Sequence, residues 1–197
     1  GAGQFGEVYL KIEPRERGAG FEFVDQVKGG VIPGVFMPAV EKGVRQALEG
    51  GVVAGFPVED LRVIVYDGKT HPVDGKEIAF VQAGKKAAIA AIQAAGAVVL
   101  EPIVAIEVHA DENQMGDVAG DLSARRGHVT GTAPRGPGRV AIAGEVPLAE
   151  INDYASRLKS MTGGRGSYSI EFARYAPAPL PMQQKLAASF KLKDEEE

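Results

Sequence analysis

Twice within the first hundred residues, an alternating apolar run passes through a glycine-containing stretch into an apolar pattern of helical period. The alternating runs cover residues 21–27 and 61–66, and the stretches that follow them are residues 29–34 and 67–74. Period-two alternation predicts strands, and a period near 3.6 predicts helices. A further strand is expected at residues 7–12. Since strand-to-helix loops of the same sense leave a sheet at one edge, the two loops are expected to lie side by side.

Both helical patterns carry their own start and stop signals. Pro38 suits a first helical position, where its missing N–H is not needed, and the glycines at 50–51 stop that helix. Asp74 followed by Glu77 predicts a capping box at the second helix, which Gly96 ends. The side chains predicted to be buried are Val40, Val44, Ala47 and Leu48 in the first helix, and Ile78, Val81, Ala88 and Ile92 in the second.

The pattern begins again near Glu101, in the order strand, helix, strand, strand, helix, strand. This order is the split ferredoxin-like arrangement, in which both helices cover one face of a sheet and leave the other face free for a partner. The six elements are expected at residues 104–108, 115–122, 128–132, 139–146, 151–158 and 168–172. We therefore predict an α+β protein with domains at 1–100 and 101–177, and a tail at 178–197 that contains a short helix at 182–192.

The net charge of −4 argues against broad, charge-driven binding to nucleic acid, so any RNA contact should be local. The absence of cysteine excludes a disulfide framework, a cysteine metal site and a thiol nucleophile. The longest apolar run, residues 87–100, is too short and too interrupted to span a bilayer. Without a signal-like opening segment, we expect a cytoplasmic protein with no membrane partner.

His71 is the most versatile candidate for ligand binding. A neutral imidazole both donates and accepts hydrogen bonds, and its ring can stack on a base. It precedes a helix N-terminus, which favours phosphate, but Asp74 would repel an anion. The loop is therefore expected to recognise RNA shape rather than bind phosphate tightly; a solvated surface histidine is the alternative. The loop at 29–34 permits close backbone approach, or simply makes a sharp turn.

Other nucleotide motifs are weaker. Residues 1–6 match the spacing of dinucleotide-binding glycines, but a strand follows them where a helix is required. Residues 67–70 resemble the end of a phosphate-binding loop, yet the required first glycine would fall at Val63, inside a strand.

No metal site or nucleophile arrangement is recognisable, because His109, Asp111 and the distant His128 lack a compact third ligand. Arg125 and Arg126 stand at a helix end, where cations complement the helix dipole. They fit RNA phosphates equally well.

Several runs of residues, in order and at matching spacing across residues 1–177, resemble elongation factor G. Those similar to its fourth domain are Gly29-Gly-Val-Ile-Pro33, Pro38-Ala-Val-Glu-Lys-Gly43, Ala54-Gly-Phe-Pro57, Asp67-Gly-Lys-Thr-His71 and Glu77-Ile-Ala-Phe80. Those similar to its fifth domain are Leu100-Glu-Pro-Ile103, Met115-Gly-Asp-Val118, Gly120-Asp-Leu-Ser-Ala-Arg-Arg-Gly127, Glu145-Val-Pro-Leu148 and Gly164-Arg-Gly166. Together these runs are highly specific, whereas any one alone is not.

The resemblance implies part of a ribosomal translocation factor, with an arm like the second domain of ribosomal protein S5 followed by a ferredoxin-like domain. In that family the arm reaches the small-subunit decoding region, and its tip loops contact the transfer RNA–messenger RNA duplex. The fifth domain meets large-subunit RNA near the sarcin-ricin loop and the stalk base. The RNA contacts that the resemblance implies are Gly29, Gly30, Val31, Ile32, Pro33, Lys69, Thr70, His71, Pro72, Arg125 and Arg126.

The resemblance implies no enzyme activity and no cofactor for this chain, since GTP and Mg²⁺ are bound by family domains that the chain lacks. The expected partners are both ribosomal subunits and the transfer RNA–messenger RNA complex, and the expected state is a monomer. A late start of the fourth-domain pattern predicts a fragment of a longer protein. Pro72 and Gly75 replace the aspartate and serine of the commonest family forms, which indicates a divergent paralogue.

Three alternatives remain open at this point. A ribosomal protection protein uses the same architecture to dislodge an antibiotic. A regulatory module that binds a small metabolite is a rival from another class, because split ferredoxin-like units often bind such ligands. An enzyme built on His71, Asp67 and Asp74 is the weakest option.

Overall fold

A computed structural model describes residues 3–191 as two compact units, one containing residues up to Val99 together with those from Pro179, the other Leu100–Ala178. The strands are β1 (Gly6–Pro14), β2 (Glu22–Asp25), β3 (Leu61–Thr70), β4 (Leu100–Asp111), β5 (His128–Pro134), β6 (Arg139–Pro147) and β7 (Ser167–Pro177). The helices are α1 (Met37–Gly50), α2 (Glu77–Ala95), α3 (Met115–Ala124), α4 (Tyr154–Met161) and α5 (Leu180–Ser189). The predicted α+β class is confirmed.

The first unit is organised around β3, the middle strand of a three-stranded sheet in the order β1-β3-β2. β1 runs antiparallel to β3, whereas β2 runs parallel to its first half, with Asp25 opposite Val65. Parallel strands end toward the same edge of a sheet, so the chain leaves β2 and β3 on the same side. This pairing confirms the prediction that the two strand-to-helix loops share an edge.

Helices α1 and α2 cover one face of this sheet, and their apolar stripes form its core. The predicted buried side chains are confirmed with one exception: Ile78 is 47% exposed. The inward position in the first turn of α2 belongs instead to Phe80, which is fully buried and stacks on Phe36 with 4.8 Å between ring centroids. Phe36 precedes α1, so this stack joins the starts of the two helices.

Glycines allow the backbones of α1 and α2 to touch. A methyl group at position 43 would lie 1.9 Å from the carbonyl oxygen of Val81, and one at position 84 would lie 2.5 Å from that of Val40. Such distances are far inside van der Waals contact, so neither Gly43 nor Gly84 can carry a side chain without separating the helices. The two helices therefore pack with no side-chain layer between them at these points.

Two predictions about the second loop are wrong. Residues 67–70 belong to β3 rather than to a loop, because the first residues of β1 supply an antiparallel partner and Tyr66 forms a bulge that absorbs the irregularity. The capping box is absent: α2 begins at Glu77 after an extended Lys76, with no side-chain cap. The carboxylate of Asp74 lies beside the His71 ring instead.

The second unit has the ferredoxin-like topology that the element order predicted. Its sheet runs β5-β6-β4-β7 with every neighbouring pair antiparallel, and helices α3 and α4 follow β4 and β6. Val104, Ile106 and Val108 alternate along β4 and pack in the core with both helices. Residues 105, 107 and 109 therefore occupy the opposite face of the sheet.

Tyr154 is the largest fully buried side chain of the second unit. Its ring meets Tyr168 edge-on, with 5.0 Å between centroids, and the Arg125 guanidinium lies 5.3 Å from its centroid. Its hydroxyl is buried and has no hydrogen-bond partner among residues 3–191. Burial raises the pKa of Tyr154 to about 12, because the ionised phenolate is poorly solvated there.

The C-terminal helix α5 groups with the first unit rather than forming a separate tail. The side chain of Gln183 accepts a hydrogen bond from the amide of Val99, and the Phe190 ring lies against Gly55. The helix ends at Ser189, and the predicted end at Leu192 falls outside the described residues. No helix within residues 3–191 has both the length and the apolar character needed to cross a membrane.

Replacing Gly43 by alanine is expected to destabilise the first unit by about 3 kcal/mol, because the added methyl group forces the backbones of α1 and α2 apart. Gly50 ends the same helix with open space around it, so Gly50→Ala should leave stability unchanged or raise it by up to about 1 kcal/mol. Urea unfolding of the two variants measures the difference. Equal stability of the two variants would contradict the close packing.

Tyr154→Phe is expected to leave the protein as stable or more stable at pH 7, because it removes a buried hydroxyl that lacks a partner. The pKa of Tyr154 in the folded protein lies above its unfolded value near 10. The effect of this difference on the unfolding free energy is constant below pH 10. Between pH 10 and 12 the unfolding free energy falls, because only the unfolded protein then loses the tyrosine proton. Unfolding free energy should therefore fall less steeply between pH 10 and 12 in Tyr154→Phe than in the unsubstituted protein. The exposed Phe172 has no ionisable group, so Phe172→Leu is the control and should not change that slope.

Candidate nucleic-acid interface

Three segments of the first unit lie toward the edge to which β2 and β3 run, and together we call them the loop edge: residues 3–5, 26–36 and 71–76. Segment 26–36 follows β2 and contains the Gly29–Pro33 stretch, whereas 71–76 follows β3 and contains His71. The first segment is joined to 71–76 by the amide of Phe5, which donates to the carbonyl of Asp74 at 2.8 Å. Most of the predicted RNA contacts of this unit therefore lie in one place.

Gly68 and Ile32 fasten the 26–36 segment to β3. A methyl group at position 68 would lie 2.5 Å from Cδ1 of Ile32 and 2.4 Å from the backbone oxygen of Glu7, so the Ile32 side chain fills the place that a side chain at 68 would need. Ile32 is only 2% exposed. The prediction that Ile32 contacts RNA is therefore wrong for its side chain, which is a core anchor.

The anchored segment displays its neighbours to solvent. Gly29, Gly30 and Val31 are exposed and Pro33 is half-buried, and Val35, which sequence reasoning missed, is 77% exposed. Both glycines have φ of +67°, a left-handed conformation that other residues rarely adopt. A methyl group at either would meet no atom within 4 Å. The backbone here is thus open to close approach.

The imidazole of His71 shapes its own turn. Its Nδ1 accepts hydrogen bonds from the amides of Val73 and Asp74, at 3.3 and 3.2 Å, and its carbonyl accepts from the amide of Gly75 at 2.8 Å. Oδ2 of Asp74 also lies 3.3 Å from Nδ1, so this nitrogen is engaged within the turn. The side chain is 53% exposed, so the ring remains available to form a hydrogen bond through Nε2 and to stack.

The structure explains why position 75 is occupied by glycine, which the sequence alone did not reveal. A methyl group at position 75 would lie 2.5 Å from Oγ1 of Thr70 and 2.8 Å from the carbonyl oxygen of His71. Gly75 also forms an isolated parallel bridge with Phe5. The tight return of the chain after His71 therefore requires glycine, and Thr70 is held within that turn rather than projecting freely.

The loop edge has few charges and several exposed apolar side chains. Lys28 is exposed, and beside the loop edge Lys69 of β3 is 67% exposed with the carboxylate of Glu7 at 3.8 Å. Pro72 is exposed, and Val73 is 78% exposed. Such a surface can donate hydrogen bonds, stack and fill a groove, but it cannot bind phosphate through dense positive charge.

Arg125 and Arg126, in the second unit, are held by carboxylates. Arg125 is 13% exposed, donates to Asp121 and Asp153 at 2.8 and 2.6 Å, and has a pKa above its usual range because of the bond to Asp153. Arg126 donates to both oxygens of Glu101, the main cause of its raised pKa, and to Glu150. Their guanidinium groups link α3 to neighbouring segments. This favours a structural role, which the sequence had given the same weight as contact with RNA phosphates.

The described residues contain no group of three or more histidine, aspartate or glutamate side chains that could hold a metal ion. His109 contacts Glu107 at 2.7 Å, and His128 lies 3.8 Å from Glu145. Both histidines are paired with a single carboxylate on the sheet of the second unit.

Two family models match the chain: "Elongation factor G, domain IV" over residues 1–96 and "Elongation factor G C-terminus" over residues 98–186. An "Elongation factor G-like protein" of Thermotoga maritima is 47% identical over 94% of this chain and 27% of its own length. A crystal structure of a protein from Thermus thermophilus matches with a TM-score of 0.78 and 36% identity, over 95% of this chain and 29% of that one.

The chain thus spans less than a third of the length of these relatives. The two matched regions follow each other in the order of the two compact units, and together they cover nearly all of the described residues. The chain belongs to the elongation factor G family, of which it carries domain IV and the C-terminal domain.

Proposed function

We propose that this chain works in translation elongation as the part of a ribosomal translocation factor that enters the decoding region, where its loop edge contacts the transfer RNA–messenger RNA complex. Family membership supports a role as part of a translation factor. The observation that carries the finer proposal is the convergence of an exposed imidazole, an open diglycine backbone and exposed valines at one edge of the sheet. The proposed setting is the cytoplasm, and the proposed state is a monomer.

The proposed mechanism is steric and positional. The loop edge is poor in charge, so it gains little from phosphate attraction and must act by fitting the shape of its target. Nε2 of His71 supplies a hydrogen bond, and the open backbone at Gly29 and Gly30 permits close approach. Occupied space behind the advancing RNAs would then block their return. No chemical step is assigned to this chain, and GTP hydrolysis belongs to other domains of the family.

Replacing His71 by alanine should slow translocation about tenfold, the effect of losing roughly 1.4 kcal/mol of hydrogen bonding and stacking. The test uses elongation factor G in which residues 1–186 of this chain replace the matching domains. Messenger RNA movement is followed by fluorescence, and GTP hydrolysis is measured in parallel. GTP hydrolysis should be unchanged, because the substituted residue is outside the nucleotide-binding domain.

The variant His71→Asn distinguishes the role of the imidazole ring from the role of the turn that it holds. Its side-chain oxygen can accept from the following amides as the imidazole Nδ1 does, but it lacks the aromatic ring and Nε2. His71→Asn should therefore be as slow as His71→Ala. Full activity of His71→Asn would show that the histidine only holds the turn, and full activity of both variants would overturn the proposed contact.

A glutamate at position 73 should slow translocation about three- to tenfold, since its charge would face RNA phosphates at about 1 kcal/mol of repulsion. Val73 is 78% exposed, so folding stability should change by less than about 0.5 kcal/mol. Val98 is an exposed valine of the same unit beyond the far end of α2, and Val98→Glu is the matched control. Equal rates in the two variants would place the RNA elsewhere.

Rescue of translation under tetracycline by the unsubstituted chimera would instead favour a ribosomal protection role.

A further inference from the structure

Two tyrosines lie side by side on the face of the first unit's sheet that α1 and α2 do not cover. Val8, Leu10 and Val65 pack in the core with residues of the two helices. Since side chains alternate along a strand, the neighbouring Tyr9 and Tyr66 lie on the opposite face. Their ring centroids are 6.4 Å apart, and the ring planes are inclined by 47°. The residues are 41% and 47% exposed, so both rings are open to a partner.

A strand irregularity and a hydrogen bond place the two rings. The register of β1 against β3 shifts between Tyr9 and Leu10, which leaves Tyr66 as an extra residue with no counterpart on β1. Such a bulge re-aims the side chain that it carries. The hydroxyl of Tyr9 donates to a carboxylate oxygen of Glu7, which holds the first ring in place. The pair is therefore a fixed feature of the sheet.

Negative charge is in excess beside the pair. Glu7 bonds the Tyr9 hydroxyl, and the exposed Asp67 directly follows Tyr66. The pKa of Tyr9 is raised by its hydrogen bond to Glu7, and the charges of Glu7 and Asp67 raise it further. Lys69 lies 3.8 Å from Glu7 and balances only one of the two carboxylates. The potential at the rings therefore attracts cations and repels phosphate.

Other aromatic rings of the chain already have a cation from the chain itself. The Arg45 guanidinium lies 4.7 Å from the centroid of Phe21, and that of Arg125 lies 5.3 Å from the centroid of Tyr154. Over the rings of Tyr9 and Tyr66, residues 3–191 place no lysine or arginine in this way. A cation seated between these two rings would be within the cation–π range of about 6 Å of both centroids.

We infer that Tyr9 and Tyr66, with the carboxylates of Glu7 and Asp67, form a docking site for an arginine or lysine side chain of a basic protein segment. We call these four residues the tyrosine site. The rings would contact the cation through their negative faces, and the carboxylates would balance its charge. Tyrosine is also among the residues that contribute most to the affinity of protein interfaces. The site lies outside the loop edge, so this inference goes beyond the proposed function.

The surroundings of the tyrosine site favour a protein over the other possible ligands. Small molecules bind in concave pockets that bury most of their surface, whereas the two rings stand on an open sheet face. An RNA base could stack on a tyrosine, but its phosphates would meet the excess negative charge of Glu7 and Asp67. A basic protein segment gains from the rings and from the carboxylates together.

The test titrates the whole chain with a synthetic peptide of alternating arginine and glycine and follows the backbone amide signals by NMR. Saturable shifts are expected at residues 7–11 and 64–69. The matched probe is the same peptide with citrulline in place of arginine, which keeps the shape of the side chain and removes its charge. The citrulline peptide should leave these signals unchanged.

Two double variants separate the rings from the rest of the surface. Tyr9→Leu/Tyr66→Leu keeps apolar side chains but removes both rings, so affinity for the arginine peptide should fall about fivefold, which corresponds to about 1 kcal/mol. Tyr9→Phe/Tyr66→Phe keeps the rings and should bind within about twofold of the unsubstituted chain, because phenylalanine also attracts cations. The control Phe172→Leu/Tyr175→Leu removes another exposed aromatic pair, 5.1 Å apart, and should not change the affinity.

Asp67→Asn tests the carboxylate without touching either ring. The asparagine oxygen can still accept from the amide of Gly68, as Asp67 does at 2.8 Å, so the strand should keep its shape. Affinity for the arginine peptide should fall about threefold, because one negative charge near the bound cation is lost.

Weaker binding by the leucine and asparagine variants, with normal binding by the phenylalanine variant and unchanged melting of all three, supports the inference. Equal shifts with the citrulline peptide would overturn it, as would full affinity of the leucine variant. Tighter binding of oligouridine than of the arginine peptide at the same residues would identify stacking on RNA and also overturn it. If the leucine variant does not fold, Asp67→Asn and the citrulline peptide still decide the outcome. No arm involves His71 or the ribosome, so a failure here is distinct from a failure of the proposed function.

Discussion

The parallel pairing of β2 with β3 determines where every candidate contact of the first unit lies. Because the two strands run the same way, the chain leaves both toward one edge, and each exit leads through a loop into a helix. An antiparallel β2 would have sent the glycine-rich segment to the far end of the sheet from His71. Ile32 over Gly68 and Phe36 on Phe80 then fix the two exits against each other. The loop edge is thus a consequence of strand direction, secured by two apolar contacts.

Charge distribution in the second unit follows from the supply of carboxylates rather than from the number of arginines. Two adjacent arginines in the sequence suggest a basic patch, yet Asp121, Asp153, Glu101 and Glu150 surround them and tie them into the fold. Arg135 and Arg165 lie far apart in the sequence, and in the fold they pair with Glu107 and Asp111 while staying more than half exposed. Net charge available for binding therefore becomes visible only when the ion pairs are assigned residue by residue.

The order of strands and helices could be predicted because apolar periodicity is local, and it led to both the α+β class and the ferredoxin-like topology. The limits of β3 could not be predicted, because residues 67–70 become a strand only when β1, far earlier in the chain, pairs with them. The resemblance implied an RNA contact at Ile32, and its burial could not be predicted because it depends on Gly68, which is also distant in sequence. The exposed imidazole was predictable in type, but the two amides that occupy its Nδ1 were not. Contacts that local periodicity does not encode set each of these outcomes.

The touching backbones of α1 and α2 have a mechanical consequence. One helix begins just after the diglycine segment, and the other begins just after the histidine turn. With a carbonyl oxygen pressed against a glycine in each direction, no compliant side-chain layer separates the helices at these points. A force applied to one loop is therefore transmitted through the main chain to the other, so the two loops should move together as one rigid body rather than independently.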